Sequence, residues 1–524
     1  MADESAGTDQ AGLIRTAGLV VAIGILLAGL WWYESRDVGV PAPKPIAIQY
    51  LDSVAVMPLT NRTGEPEFEH IGVGMAAGII SRLSRVPALK VISRHSAQAV
   101  ANDGLTTVEL GTALNVQRIL DGVITMDGET LRVSLRYLDA GSGRRLWASS
   151  LDGSITELEA FQDEVATFTV NKVVESVPGA ALPEISSQTE TGAGQQAYLA
   201  GRRALGQRTT ESMRTAITQF QRAIELDPDF APAYADLASA YALAIFYRYD
   251  VGIDDYTLAA QSLAFAEHAI ALDENLAAGY AARGYLGALI GQPADAVAAD
   301  FERAASLQPN AASIPSWRAR SLAQLGQYEE AVSEASRAID LDPLSPARHI
   351  ALAELSLMLG NYDQAIASAK LATTLEPRII RSRAIEARAL LLSGNPQRCA
   401  SLALGPHQVL RATCLKLSGR GDEADTIIEE TLDDIRNRTL QVDGSTEVVV
   451  FEDLAVHFAH RGDPENALFW TARAYAASPA GVEIRVIESE LFDKVRDDPD
   501  FAASVAAIRD DLYNRVRRDS ETFR

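Results

Sequence analysis

Cysteine is scarce in this 524-residue chain: Cys399 and Cys414 are the only two. That excludes a disulfide-rich scaffold and a four-thiolate zinc site. Positive charge is also short. Forty-seven Lys and Arg face 70 Asp and Glu, a net charge of −23. Sequence-independent binding of nucleic acid needs clustered cations to neutralise phosphates, so nucleic acid is not an expected partner. There are seven histidines, and only His457 and His460 share a helical face, with no carboxylate or cysteine at metal-ligand spacing beside them. GxSxG, Walker and kinase signatures are missing, so the sequence points to no catalytic residue, cofactor or metal. Hydrophobic residues, at 47%, are plentiful enough for about two to four domains with their own cores.

One long apolar run is present. Residues 17–33 (AGLVVAIGILLAGLWWY) carry no charge and end in an aromatic cluster, Trp31, Trp32 and Tyr33, of the kind found at membrane interfaces. At ~1.5 Å per residue the run spans ~25 Å, and Leu13, Ile14 and Thr16 lengthen it while Arg15 can snorkel. WWYES follows where a cleaved signal peptide would place small residues. The expectation is a short tail (1–12), an uncleaved transmembrane anchor (13–35) and a spacer (36–49). Arg15 and the free amine on one side nearly balance Arg36 and Lys44 on the other, so charge alone leaves the orientation open. Gly18/Ala22 and Gly24/Ala28 are small pairs that would let two such helices pack as a homodimer, although single anchors carry such pairs too.

Residues 50–178 read as a compact α/β domain. Ser53–Leu59 is a buried strand, His70–Val86 a helix with one apolar face, and Leu89–Ile92 a second short strand. Ser96–Ala101 and Thr107–Leu114 are short helices. Arg118–Met126, Thr130–Asp139 and Arg145–Leu151 alternate as a β-meander joined by Asp127-Gly128 and AGSG, and Ile155–Val174 is a covering helix. Gly72, Gly74 and Gly78 invite a phosphate-loop reading. Their GxGxxxG spacing and distance from the preceding strand fit close helix–sheet packing better.

The segments VAVMPLTNRTGEPEFEHIGVGMAAGIISRLSRVPALKVISR and LGTALNVQRILDGVITMDGETLRVSLRYLDAGSGRRLWASSLDG resemble the TolB amino-terminal-like domain, related to FlgO-type envelope proteins. In bacteria that module often precedes tetratricopeptide repeats, behind a cyclase domain or a CadC-like winged helix. The resemblance implies an assembly or recognition module without catalysis. Its periplasmic association places the bulk of the chain outside the cytoplasmic membrane.

After a linker (179–194) rich in Gly, Ser, Thr and Pro, self-similarity dominates. Gly326, Gly360 and Gly394 are spaced by 34, as are Ala331, Ala365 and Cys399, and Pro343 and Pro377. This resembles the tetratricopeptide repeat, and implies an array of about eight helix pairs over 195–485 with capping helices at 486–524. Each pair buries too little surface alone, so the pairs stack into a superhelical solenoid with a concave face lined by first helices. In register, Arg320, Glu354 and Arg388 fall at equivalent positions of that face, with Ile350, Met358 and Arg381 nearby. With Arg318, Arg378 and Arg383 they concentrate positive charge, which suits an acidic peptide segment, while a solvated charged helix face is the simpler reading. Cys399 and Cys414 lie equidistant from a turn near Pro406–His407, where a bridge is geometrically allowed. Cys399 also fills the slot that Ala331 and Ala365 fill, where simple packing explains it.

The sequence thus leads to a multidomain, membrane-anchored scaffold that binds unidentified protein partners. Its alternative is a signalling relative of cyclase- or CadC-linked receptors without the output domain.

Overall fold

The computed structural model describes residues 50–177, 193–477 with short breaks at 208, 248, 290–291, 403, 406, 438 and 440–443, and 492–508. The expected tail, anchor and spacer, most of the linker and part of the capping segment lie outside these residues. Among the described residues no helix is long and apolar enough to cross a membrane.

The amino-terminal part is a six-stranded mixed sheet. Its strands are β1 (Asp52–Val56), β2 (Thr60–Asn61), β3 (Leu89–Val91), β4 (Arg118–Asp127), β5 (Thr130–Asp139) and β6 (Arg145–Ser154). The main path runs β3-β1-β4-β5-β6, with β2 paired to β4. β1 is parallel to both β3 and β4, and β4, β5 and β6 form the antiparallel meander. β1 stops at Val56, short of the expected Leu59, because Pro58 has no N–H for the ladder. The first helix, α1 (Glu69–Leu83), stops three residues short of the expected Val86, since Pro87 disfavours helical backbone before it.

Two short helices follow β3: α2 (Arg94–Ala99), capped by the Ser93 hydroxyl, and α3 (Thr107–Leu114), closed by a Thr106/Glu109 capping box. α4 (Leu158–Glu175) lies beside α1 on one sheet face, burying Val54, Val56, Leu120, Tyr137, Val170 and Val173 together. Gly72 permits the close approach of α1, since a Cβ there would lie 2.0 Å from the Leu59 carbonyl oxygen. A Cβ at Gly74 or Gly78 would meet only ordinary contacts, at 3.8 and 3.9 Å, so within this motif Gly72 is the glycine that packing requires.

From residue 193 on, the described residues form eight helix hairpins. They are α5 (Ala193–Gln207) with α6 (Thr210–Leu226), α7 (Ala231–Tyr247) with α8 (Asp255–Leu272), α9 (Ala277–Leu289) with α10 (Ala294–Leu307), and α11 (Ser313–Gln324) with α12 (Tyr328–Leu341). The second half holds α13 (Pro346–Met358) with α14 (Tyr362–Leu375), α15 (Ile380–Leu392) with α16 (Pro396–Ala400), α17 (Gln408–Leu417) with α18 (Gly421–Asn437), and α19 (Gly444–Arg461) with α20 (Pro464–Ala477). The array begins at 193, two residues inside the expected linker.

The 34-residue landmarks have separate physical roles. Gly326, Gly360 and Gly394 have φ of +78°, +72° and +74°, the left-handed turn between the helices of a hairpin. Ala331, Ala365 and Cys399 are fully buried where the two helices touch. The sixth hairpin is cut short: α16 has 5 residues against 14 in α12 and α14. Phe492, Val495, Phe501 and Val505 close the array by packing onto the core of its last hairpins.

Candidate functional site

The first helices of the fourth to sixth hairpins, α11, α13 and α15, carry the six candidate groove residues, and their environments differ sharply. Ile350 is buried with Ala353, Ala369, Ala372 and Ile385, so it is a core residue, because the face it occupies is covered by α14 and α15. Glu354 accepts from Arg381 Nε, an ion pair that bridges α13 to α15. Arg320 is half-buried, and Met358 is 36% exposed at the end of α13.

Arg388 departs furthest from expectation. Its Nη2 donates to Asp453 Oδ1 at 3.1 Å, joining α15 to α19 across the short α17. Asp453 is fully buried, and its other oxygen lies 2.9 Å from His407 Nδ1. An ionised carboxylate only accepts, so that nitrogen carries the proton. Burial pushes the Asp453 carboxyl up, but His407 and Arg388 outweigh it and hold it below the usual range. Arg388 is thus a structural cation. The other arginines of the proposed positive cluster are also engaged: Arg318, 2% exposed, donates to Glu334 Oε1 at 3.1 Å; Arg378 pairs with Glu376; and Arg383 donates to the Pro377 carbonyl at 2.7 Å. Carboxylates and carbonyls of the array itself therefore offset much of the excess charge expected to attract an acidic peptide.

His457 follows the same rule. His457 Nδ1 donates to the Thr413 hydroxyl (3.0 Å), which in turn donates to the Val409 carbonyl. Burial is the main force pushing the His457 ring down to about 4, helped by Arg461, so the ring is neutral at pH 7. Among the described residues no three His, Cys, Asp or Glu side chains are grouped to hold a metal ion. Cys399 of α16 and Cys414 of α17 form a buried disulfide, with Cα atoms 5.7 Å apart.

A second polar cluster had no signal in the sequence. The α/β domain is seated on the turns that lead into α11 and α13. Asn310 Nδ2 donates to the Ser84 and Val86 carbonyls at 3.2 and 3.1 Å, and its Oδ1 accepts from Val91 N at 3.3 Å. This turn thereby covers the outer edge of β3. At the next turn Asp342 accepts from the Ser93 and Ser96 hydroxyls, while Leu344 N donates to Ser96 Oγ at 3.0 Å. Ser93 N donates to the Leu341 carbonyl at 2.9 Å, and the Leu344 side chain packs against Met57, Ile92, Ala97 and Leu114.

Comparison with known proteins adds the following. The family model described as tetratricopeptide repeat matches residues 322–378, which run from the end of α11 to the turn before α15. A protein of Rhizobium meliloti (strain 1021) named "Putative adenylate cyclase 3" is 29% identical over 252 residues, covering 47% of this chain and 42% of that protein. The chain thus spans less than half the length of this curated relative. Among solved structures, a thermophilic TPR protein of Thermus thermophilus is 24% identical with a TM-score of 0.32, covering 38% of this chain and 100% of that one. Pseudomonas aeruginosa pilF is 15% identical with a TM-score of 0.29, covering 50% of this chain and 95% of that one.

Proposed function

We propose that this tetratricopeptide-repeat chain is a membrane-tethered scaffold of the bacterial envelope, which captures segments of partner proteins on the face formed by its first helices. The observation that carries the reading is the array itself. Eight hairpins are stacked so that each contributes one helix to a shared face, an arrangement that presents an extended surface for peptide segments. The accessible part of that face lies around Arg320, Met358 and the Glu354–Arg381 pair. With charge locally balanced there, capture rests on shape, apolar contact and hydrogen bonding rather than on a net acidic partner.

Membrane tethering is supported by the uncharged run at 17–33, and a periplasmic bulk by the likeness of residues 50–178 to the TolB amino-terminal-like module. The Cys399–Cys414 bridge is a third support, since disulfides persist in oxidising compartments. The chain needs no catalytic centre for this role. A second reading, a component of a signalling complex, is favoured by the likeness to a cyclase-named protein.

Crosslinking in intact cells, followed by purification of the full chain and mass spectrometry, separates the two. Envelope or secretion subunits support scaffolding, and a cyclase, kinase or regulator supports signalling. A chain that crosslinks to nothing removes both. A periplasm-active reporter fused after Arg524 tests topology, and silence of that fusion beside an active cytoplasmic one overturns it.

A further inference from the structure

We infer that the α/β domain is a clamp that fixes the angle between the third, fourth and fifth hairpins, and so sets the width of the inner helix face. A stack of hairpins is mechanically soft, because each hairpin touches only its neighbours and its tilt depends on one interface at a time. Here two turns one repeat apart, at Pro309-Asn310 and Pro343-Leu344, are both bound to a single rigid body. Asn310 holds the backbone around β3, and Asp342 and Leu344 hold the cap of α2, which begins three residues after β3. The sheet edge and the helix cap cannot move apart. The two turns are therefore held at a set distance, and α11 and α13, which start from those turns, cannot splay without breaking one group of bonds. The next equivalent turn, at Pro377-Arg378, projects into solvent with Arg378 90% exposed. The clamp therefore acts on one stretch of the array, the stretch bearing Arg320 and Met358.

A buried chain of charges links the seam to that face. Arg337 donates to the Pro309 carbonyl at 3.3 Å and to Glu334, which also accepts from Arg318 of α11. A shift of the turn at 309–310 is carried by this Arg–Glu–Arg series to the helix that carries Arg320. The purpose of the clamp, controlling access to the partner-binding face, rests on the docking reading above. The mechanical statement does not.

The test uses the full chain and no partner. Spin labels are placed on Gln324→Cys of the fourth hairpin and Ala367→Cys of the fifth, both exposed, while the native cysteines stay buried. Distances are measured by pulsed dipolar spectroscopy with and without Asn310→Ala plus Asp342→Ala. The unaltered chain is expected to give one narrow distribution. The double variant should broaden it and speed amide exchange in β3, α11 and α13 by about tenfold or more, leaving α19 and α20 unchanged. Asn310→Ala alone, which truncates one turn residue, gives the same reading in weaker form should the double variant lose its circular dichroism signal. An unchanged distribution accompanied by faster exchange in β3 overturns the clamp, because the domain would then have come loose without altering the array. Unchanged exchange in β3 overturns it too, because the seam would not be what holds that edge. Neither result bears on whether partners dock.

Discussion

Removing the Cys399–Cys414 bridge by Cys399→Ala with Cys414→Ala should loosen the sixth and seventh hairpins by about 3 kcal/mol, the loop-closure entropy expected of a 15-residue separation. Packing adds little at position 399, because alanine already fills the equivalent slots at 331 and 365, both fully buried. The site is sensitive for a local reason. α16 has 5 residues, too few to hold a helix by its own hydrogen bonds, and the bridge ties it to α17. Repeat arrays do not unfold in one step, so a global melting temperature would blur the effect. Amide exchange resolves it: protection along α17 should fall by about two decades, at ~1.4 kcal/mol per decade, while α11 to α14 keep theirs. A thiol reductant that reaches the bridge should reproduce the change in the unaltered chain. Equal protection with and without the bridge, or a loss spread evenly along the array, refutes the reasoning.

His457 offers a pH test. Its ring is held at about 4 in the fold against an ordinary 6.5, so between those values the unfolded chain binds more protons than the folded one. Stability is then full above about pH 6.5 and falls as pH drops toward 4, by up to ~3 kcal/mol. His457→Gln should flatten that slope in denaturation curves at pH 7 and pH 5, with Asp425, Lys416, Arg461 and His460 as the charged and titratable neighbours left in place. Asp453→Ala leaves Arg388 and His407 buried without their shared carboxylate and should cost about 3–5 kcal/mol, read as lost exchange protection in α15 and α19. Gly360→Ala should cost about 1–2 kcal/mol, read as lost exchange protection in α13 and α14, because φ is +72° there. The nearest side-chain atom to an added Cβ lies 3.9 Å away, so crowding is not the cause.

The period of 34 was legible because it reports local geometry: a left-handed turn needs Gly360, and a tight helix contact needs Ala365. The meander was legible for the same reason, since alternation from Arg118 onward reflects which face of the sheet is buried. Arg388 shows where that logic stops. Its register within the repeat was readable, but its partner Asp453 lies 65 residues on, and the two meet across the short helices α16 and α17. The seam is harder still. Ser96 and Asp342 are 246 residues apart, and each is an ordinary polar turn or cap residue until the other arrives. Charge balance is hidden in the same way, since summed arginines say nothing of carboxylates such as Glu334 placed against them by folding.

The covering of β3 by Asn310 bears on how this protein can be dissected. A fragment ending at residue 178 would leave the amide of Val91 and the carbonyls of Ser84 and Val86 without the turn that satisfies them. It would also strip Leu344 from the cluster around Ile92 and Ala97. Bare strand margins recruit one another, so such a fragment should self-associate at concentrations where the longer chain stays dispersed. The smallest well-behaved amino-terminal piece therefore ends beyond the fifth hairpin, far past the linker that composition marks as the boundary.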